Sequence, residues 1–543
     1  MEDYFLAYDM GASSGRSILS WMEDGRIWLE ELNRFDNHLI ERNGHLTWDI
    51  DSLWQGILEG LRVCKGTDRI PGSIGIDTWA VDYVLLDENG SMIGDAVCYR
   101  DGRTEGMREE ADRYISREEL YERTGIQYQP FNTIYQLLAL KKEHPDQLEQ
   151  ARSLLMLPDY FNYLLTGVMK QEYTNATSTS LVNAGSHEWD MEIIRRLGLP
   201  ERLFHKLSVP GTTVGNLRPE LSRQIGFDTT VILPATHDTG SAFLSAPYSG
   251  KKTGSDKGET LILSSGTWSL LGVEQEAPIT STASQAANFT NEGGAWYRYR
   301  YLKNIMGLWM IQSVRRELNG VSYVQGGSDG LDGNVRNKEV EGKASAGRAS
   351  ESEALAYGTP EGSLPEDESL EENERAAAAK ILAQAQSHGQ WSFPDLIEAA
   401  KNAEHFTSEV DVNDNRFLAP KSMIMEVIAA CEDSGQKVPE TVGELMQCLY
   451  LSLTTCYRKV VKQLSSITGK SYSAVNIIGG GCQDAYLDQM TAARTGLTVY
   501  AGPVEGTAIG NLAMQMITAG VFEDLDEARK HIVESFDVHR FRP

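Results

Sequence analysis

The feature that most constrains this chain is a pattern that occurs twice: a short apolar strand, a turn of serine and glycine, and a second strand that returns. The first copy occupies residues 4–21 and the second occupies residues 261–272. The chain has 543 residues, more than one ordinary domain contains. The repeat therefore predicts two related halves, each offering one hairpin to a shared site, and hinge motion would close such a site.

The turn of the first copy, residues 9–16, is suited to holding phosphate. Its glycines and serines leave backbone N–H groups and hydroxyls free to bind phosphate oxygens. It is neither a Walker A loop nor a dinucleotide fingerprint, because Gly-Lys-Ser/Thr and G-x-G-x-x-G are both absent. Asp9, at the end of the strand, could hold a hydrated Mg²⁺ near those phosphates. An ordinary hairpin turn is the alternative interpretation.

A third glycine turn, residues 479–481, follows an apolar strand and precedes a predicted helix over residues 484–494. Three consecutive glycines leave bare backbone against which a flat ligand fits. Three turns of this kind in one chain favour a phosphate or nucleotide site over three unrelated turns.

Between the two hairpins lies the stretch of residues 231–242, in which an apolar strand runs into a polar turn that contains Asp238. A carboxylate at the end of a buried strand, beside Gly240, is partly shielded and still reachable by a substrate, which suits a general base. Aspartate is also a favoured helix N-cap. Both interpretations of Asp238 stay open on this stretch alone.

The composition excludes several classes of partner. The formal net charge of −27 argues against a nucleic-acid backbone or an anionic membrane surface. No apolar run reaches the roughly 18 residues of a membrane-spanning helix, and the N-terminus does not resemble a signal peptide. The six cysteines include no C-x-x-C pair and suggest a reducing compartment. We expect a cytoplasmic protein with a small-molecule substrate.

Residues 77–82 combine two carboxylates with an indole and resemble a sugar-binding edge. Carboxylates accept hydrogen bonds from sugar hydroxyls, and an indole packs on the C–H face of a sugar ring. This interpretation assigns Asp77, Trp79 and Asp82 to the site, whereas burial of Trp79 in the core is the more ordinary alternative.

Taken together, these motifs resemble those of the rhamnulokinases, a branch of the FGGY-type carbohydrate kinases, in the expected order over nearly the whole chain. The matching stretches are residues 9–16, 77–82, 99–101, 237–239, 265–269 and 479–481. The resemblance implies an α/β fold of two actin-like (ribonuclease H-like) domains with a cleft between them. It implies a sugar-binding domain over residues 1–245 and a nucleotide-binding domain over residues 246–543.

The activity implied by the resemblance is ATP-dependent phosphorylation of L-rhamnulose to L-rhamnulose 1-phosphate in rhamnose catabolism, with ATP and Mg²⁺ as the implied cofactors. A related kinase acting on another ketose or polyol is the alternative. A non-catalytic sugar or nucleotide sensor on the same fold is a further one, against which an intact candidate base at Asp238 argues.

The resemblance also implies roles for individual residues, with Asp238 as the base that takes the proton of the sugar hydroxyl. Implied sugar contacts are Ala80, His237, Thr239 and Asn304. Implied nucleotide contacts are Ala12, Ser13, Ser14, Gly15, Arg16, Thr267, Gln312 and Gly480.

Two departures from the family pattern stand out. Ala80 occupies a position where glycine is expected, so that a methyl group either narrows the sugar site or only stiffens the backbone. The stretch of residues 324–388 is rich in Gly, Ser, Glu and Ala and is predicted to be a flexible insert, because the composition of its front part cannot bury enough apolar area to order it. Within this stretch, residues 375–385 are predicted to form a helix.

Overall fold

Both predicted hairpins form, and each lies near the centre of its own mixed sheet. We describe the fold from a computed structural model, which defines residues 3–248, 258–321 and 372–543. The strands of the first half are β1 (Tyr4–Met10), β2 (Ser14–Glu23), β3 (Arg26–Asp36), β4 (Leu39–Arg42), β5 (His45–Trp48), β6 (Pro71–Thr78), β7 (Tyr83–Leu86), β8 (Met92–Ile93), β9 (Ser153–Met156), β10 (Gln171–Glu172), β11 (Leu207–Ser208), β12 (Thr213–Asn216) and β13 (Thr230–Ile232). Its helices are α1 (Ile50–Gly66), α2 (Met107–Ala111), α3 (Arg117–Thr124), α4 (Thr133–Glu143), α5 (Pro145–Gln150), α6 (Leu157–Thr166), α7 (Tyr173–Ala176), α8 (Met191–Arg196), α9 (Pro219–Ile225) and α10 (Asp238–Ser245).

The second half has fewer strands and longer helices. Its strands are β14 (Glu259–Ser265), β15 (Trp268–Gln275), β16 (Thr290–Gly293), β17 (Tyr299–Met306), β18 (Tyr472–Ile478), β19 (Thr498–Ala501) and β20 (His539–Phe541). Its helices are α11 (Thr282–Ala286), α12 (Trp309–Leu318), α13 (Glu372–His388), α14 (Phe393–Lys401), α15 (Met423–Asp433), α16 (Val442–Thr468), α17 (Ala485–Thr495), α18 (Gly506–Thr518) and α19 (Leu525–Ser535).

The two large sheets repeat one topology. In the first sheet the order is β12-β13-β6-β1-β2-β3, and in the second it is β16-β17-β15-β14-β18-β19-β20. The hairpin strand β1 pairs antiparallel with β2 and parallel with β6, and β14 pairs antiparallel with β15 and parallel with β18. The prediction of two related halves on an α/β fold is confirmed. Because both hairpins join the same two positions in their sheets, both turns lie at comparable edges.

Each half has its own apolar core. In the first half, α1 buries Ile57 and Leu61 against the sheet that contains β1. In the second half, the long helix α16 buries Leu449 and Leu453 in the larger core. Burial of this kind supplies most of the stabilisation of such sheets.

The predicted insert divides into two parts. Residues 324–371 of the predicted insert lie outside the described residues. The remainder contains α13, which includes the predicted helix of residues 375–385. Its face is apolar at Ala377, Ala378, Ile381 and Ala385, and these side chains are buried in the core of the second half. The spacing of these residues places them on one side of a helix, so that α13 packs as part of the folded second half and is not a flexible segment.

Two helices connect the halves. Helix α10 is the last helix of the first half, and α18, near the end of the chain, packs tightly against it. Helix α18 also packs on β1 through Ala508 and Leu512. A side chain at Gly510 would lie 1.7 Å from the carbonyl oxygen of Ser241, so that only glycine permits this approach. The end of the chain therefore packs on the first sheet, across the predicted boundary at residue 245.

No helix within the described residues is long and apolar enough to cross a membrane.

Candidate active site

A cleft of about 400 Å³ separates the two halves, and both hairpin turns reach into it. Nearly all residues predicted for the site line this one cavity. They are Asp9, Ala12, Ser13, Ser14, Arg16, Ala80, His237, Asp238, Thr239, Thr267, Asn304, Gln312 and Gly480. Among the residues to which the family resemblance assigns roles, the exception is Gly15, whose hypothetical Cβ would lie 2.3 Å from the ring of Phe35. Gly15 therefore makes room for Phe35 behind the turn, and we assign it to packing.

Asp238 is the first residue of α10, and the cap position before it belongs to His237. The interpretation of Asp238 as the helix cap is therefore wrong. Its Oδ1 accepts hydrogen bonds from the backbone N–H of Thr239 at 2.5 Å and from the Thr239 hydroxyl at 3.1 Å. About 32% of the side chain remains exposed, on the side of the cleft. Burial, together with the negative charge of Asp9, raises the pKa of Asp238 to about 7. The hydrogen bonds from Thr239 lower the pKa and offset part of this rise.

The first turn is held by hydrogen bonds within the turn and from Asn37. The backbone N–H of Gly11 donates to the carbonyl of Ser14 at 2.9 Å, and Asn37 donates to the carbonyls of Ser13 and Gly11. The buried hydroxyl of Ser13 has no hydrogen-bond partner within the described part of the chain. A fixed turn with an unused hydroxyl that lines the cleft fits the phosphate-binding interpretation.

The guanidinium of Arg16, at the end of this turn, forms ion pairs with two carboxylates. Its Nη2 lies 2.8 Å from Asp9 Oδ2 and 2.5 Å from Glu505 Oε2. Burial opposes the charge of the guanidinium, but the two carboxylates outweigh that effect and raise the pKa of Arg16. Glu505 lies just before α18, and no motif marked it in the sequence.

The second turn joins β14 to β15 and is braced by α12. The backbone N–H of Trp309 donates to the carbonyl of Thr267 at 3.0 Å, and that of Leu308 donates to Gly266 at 3.2 Å. Gln312, one turn along α12, also lines the cleft, and its buried Oε1 has no hydrogen-bond partner among the described residues. This side of the cleft offers uncharged hydrogen-bonding groups.

The third turn explains why three glycines occur together. Gly479 has φ of +88°, and a Cβ at Gly481 would lie 1.9 Å from the hydroxyl oxygen of Ser265. A Cβ at Gly480 would meet nothing within 4 Å. The outer two glycines are therefore required by the fold, and the middle one faces the open cleft, where a ligand can lie against backbone.

The predicted sugar-binding edge is only partly correct. The carboxylate of Asp82 is buried and accepts from the indole nitrogens of Trp48 and Trp79 at 2.6 and 2.9 Å. Asp77 is also buried and accepts from Asn511 at 2.6 Å. Both side chains are used inside the protein, because a buried polar group requires hydrogen-bond partners. Trp79 and Ala80 remain on the wall of the cleft.

The backbone beside Ala80 is strained in a way that the sequence did not indicate. Val81 has φ of +67°, a conformation that β-branched residues rarely adopt. Its backbone N–H donates to the Ser178 hydroxyl, and its carbonyl accepts from the Thr133 hydroxyl at 2.7 Å. Such strain persists only where the surroundings impose it, typically at ligand sites.

A buried group of charges behind Asp238 also escaped the sequence analysis. Glu292 on β16 and Arg300 on β17 contact each other at 3.2 Å and both contact His237. Asn304 on β17 donates to Glu292 Oε1 and to Gln127 Oε1, each at 3.2 Å. No spacing motif identifies these residues, since their meeting depends on the register of β16 and β17.

Family models match both halves of the chain. The N-terminal domain of the FGGY family of carbohydrate kinases matches residues 4–245, and the C-terminal domain of that family matches residues 261–519. The chain belongs to the FGGY family of carbohydrate kinases. Within this family it is similar over nearly its whole length to several curated proteins.

Three of these relatives carry the same description. A rhamnulokinase of Halalkalibacterium halodurans is 43% identical, over 99% of this chain and 98% of the relative. A rhamnulokinase of Oceanobacillus iheyensis is 42% identical, over 100% of this chain and 98% of the relative. A rhamnulokinase of Bacillus subtilis is 37% identical, over 99% of this chain and 95% of the relative. The chain is therefore an FGGY kinase that groups with rhamnulokinases in sequence.

Solved structures agree on the fold of this FGGY kinase. A gluconate kinase and a ligand-bound xylulose kinase, both of Lactobacillus acidophilus, each superpose with a TM-score of 0.69 over 100% of this chain and 94% of theirs. Their sequence identity is 14% in both cases. The two-domain arrangement of sugar kinases is thus shared, and this family implies that ATP is the phosphoryl donor.

Proposed function

We propose that the protein transfers the γ-phosphoryl group of ATP to the 1-hydroxyl of L-rhamnulose, with Mg²⁺. The observation that carries the proposal is the position of Asp238, whose carboxylate faces the cleft between the two hairpin turns. The choice of sugar rests on the similarity of 37–43% to rhamnulokinases.

The base in this proposal is Asp238. A sugar hydroxyl is a poor nucleophile near neutral pH, and removal of its proton in the transition state typically contributes about 10²–10⁴-fold to the rate. A carboxylate with a pKa of about 7 is a stronger base than an ordinary aspartate and is still ionised in half of the molecules at pH 7. Thr239 holds Oδ1, so that the carboxylate is oriented before the sugar arrives.

The nucleotide is assigned to the side of the cleft formed by the second and third turns. Gly480 offers bare backbone, and Thr267 and Gln312 offer hydrogen-bonding groups along the same wall. The first turn, with Ser13 and Arg16, is placed opposite, where the transferring phosphoryl group would need donors. This assignment puts the sugar beside Ala80, His237, Thr239 and Asn304.

Asp9 is the residue assigned to Mg²⁺. The described residues contain no group of three or more His, Cys, Asp or Glu side chains arranged to hold a metal. Mg²⁺ at a nucleotide site needs only one or two carboxylates, because phosphates and waters complete its shell. Asp9 fits this donor set, since it lines the cleft and only its Oδ2 is engaged by Arg16. When bound, the ion would offset the charge of the phosphates.

The test is a comparison of kcat/KM on L-rhamnulose, D-xylulose, glycerol and D-gluconate, measured as ADP release. We expect L-rhamnulose to be preferred by at least about tenfold, which corresponds to one or two well-placed contacts. A ¹H–³¹P correlation spectrum of the product should show coupling to the protons on C1. Preference for another ketose or polyol, or a phosphate on another carbon, would overturn the proposal.

A further inference from the structure

Behind the proposed base, three titratable side chains form one buried contact. His237 Nδ1 lies 3.0 Å from Arg300 Nη2 and 3.3 Å from Glu292 Oε2, and Arg300 Nη1 lies 3.2 Å from the same Glu292 oxygen. Arg300 is 1% exposed and is also fixed through its Nε, which donates to the carbonyl of Gly293 at 3.0 Å. The guanidinium therefore cannot turn away from the imidazole without breaking two other contacts.

The chemistry of this contact determines where the histidine carries its proton. A guanidinium has only donors and does not lose its proton in proteins. At 3.0 Å, Arg300 must therefore donate to His237 Nδ1, and Nδ1 must be the bare nitrogen. The one remaining ring proton of a neutral imidazole then lies on Nε2.

Glu292 is the competitor, because its carboxylate could accept a proton from Nδ1. Its Oε2 lacks hydrogen-bond geometry to any described group, whereas the contact of Arg300 with Nδ1 has it. The charged groups that face His237 are Arg300 on β17, Glu292 on β16 and Asp238 on α10. Burial and the charge of Arg300 hold the pKa of His237 well below its usual range, so that the ring is neutral.

We propose that Arg300 is a positioning residue that fixes His237 in its neutral Nε2–H tautomer, so that this ring offers the cleft a donor and no acceptor. The proposal deepens the proposed function, on which its consequence for the sugar rests. A sugar oxygen at His237 must then accept a hydrogen bond from Nε2 and is left free to donate its own proton elsewhere.

The hydrogen bonds at Asp238 determine which of its two carboxylate oxygens accepts the proton of the sugar. Oδ1 of Asp238 accepts both hydrogen bonds from Thr239. Its contact with His237 Nε2, at 3.4 Å, lacks hydrogen-bond geometry, so that the Nε2 proton stays available to the sugar. All the donors that contact this carboxylate within the described residues converge on Oδ1. Oδ2 is therefore the more basic oxygen, and the proton of the sugar hydroxyl passes to Oδ2.

The test begins with the intact protein and needs no substrate. The protein, with ¹⁵N-labelled histidine, is measured by solid-state ¹⁵N NMR between pH 6 and 8. His237 is assigned among the ten histidines by difference from His237→Gln. We expect a bare Nδ1 and a protonated Nε2 throughout this range. A protonated Nδ1, alone or in a charged ring, overturns the proposal, whether or not any variant folds.

The second arm removes the donor in Arg300→Met. We expect the Nδ1 signal to change to that of a protonated nitrogen as Glu292 becomes the partner, and kcat to fall at least about tenfold with KM for ATP unchanged. Arg298→Met is the matched control, since Arg298 lies two residues earlier and is half-exposed, and among the described residues its side chain pairs only with Glu276, at 3.8 Å. A folded Arg300→Met with the unchanged tautomer overturns the proposal. Failure to phosphorylate L-rhamnulose would overturn the proposed function and leave the spectra unaffected.

Discussion

The two hairpin turns occupy equivalent positions in their sheets, but the first carries charged side chains and the second carries none. The first carries Asp9 and Arg16, and Glu505 joins them from the far end of the chain. The second carries no charged residue between Ser265 and Trp268. The two turns thus share a backbone arrangement and differ in the charge of their side chains. In the proposed function, the charged turn contacts the transferring phosphoryl group and Mg²⁺, and the neutral turn contacts the nucleotide.

Each turn also contacts the opposite half, the second through aromatic side chains and the first through an ion pair. The ring of Trp268 lies 5.7 Å from that of Phe131, and its indole nitrogen lies 3.5 Å from the hydroxyl of Tyr99. Both partners belong to the first half. Movement of one half against the other would therefore alter this aromatic contact and also the ion pair between Arg16 and Glu505 of the second half.

The largest effect is expected at the base, which lies between the two turns. Asp238→Asn should leave the binding of ATP and sugar nearly intact and lower kcat at least about a hundredfold, because the amide cannot accept the proton. Steady-state kinetics together with calorimetric binding of each ligand measure the two quantities separately. Turnover within a few-fold of the parent enzyme would remove Asp238 from the mechanism.

The next largest effect is expected on kcat/KM for ATP, when one side chain of each turn is removed in turn. Arg16→Met should lower kcat/KM for ATP by about a hundredfold, because it removes a donor and leaves Asp9 and Glu505 uncompensated beside the phosphates. Thr267→Val should lower it only about fivefold, the usual cost of one neutral hydrogen bond. The control is Arg26→Met, an exposed arginine at the start of β3. Equal losses at Arg16 and Thr267 would contradict the division between a charged and a neutral turn.

Much of this comparison could be predicted from the sequence, because the turns are local. The Ser/Gly composition of residues 9–16 and 265–269, and the apolar strands beside them, indicate the hairpins without reference to the rest of the chain. The partners of these turns could not be predicted. Glu505 lies at the far end of the chain from Arg16. The contact between Arg300 and His237 depends on the packing of β17 against the first half.

The errors in the prediction have a related cause. Asp77 and Asp82 appeared beside an indole in a polar stretch, which is the composition of a sugar site, but each turns inward to donors that come from distant segments. The prediction of flexibility was wrong for the part of the insert that forms α13, because its alanine-rich face can be recognised as buried only once the core of the second half is known. Composition indicates what a segment can bury, not what it packs against.

The smallest effect is expected at Ala80, on the sugar side of the cleft. Ala80→Gly should lower stability by about 0.4–1 kcal/mol through the greater freedom of the unfolded chain, since Ala80 itself does not have a positive φ. The ratio of kcat/KM between L-rhamnulose and D-xylulose should stay within about twofold. Thermal unfolding and kinetics on both ketoses measure these quantities. A shifted ratio at unchanged stability would place the Ala80 methyl against the sugar instead.

The most direct test of the central claim, that Asp238 is the base, is the pH dependence of kcat/KM, which reports the pKa values of the unliganded enzyme. Burial and Asp9 raise the pKa of Asp238 to about 7, and the base acts only when ionised. Activity should therefore be full above pH 8, half-maximal near pH 7, and fall about tenfold per pH unit below pH 6. The residual activity of Asp238→Asn should lack this acid limb. A profile that stays level down to pH 5, or an acid limb that survives in Asp238→Asn, would contradict the account.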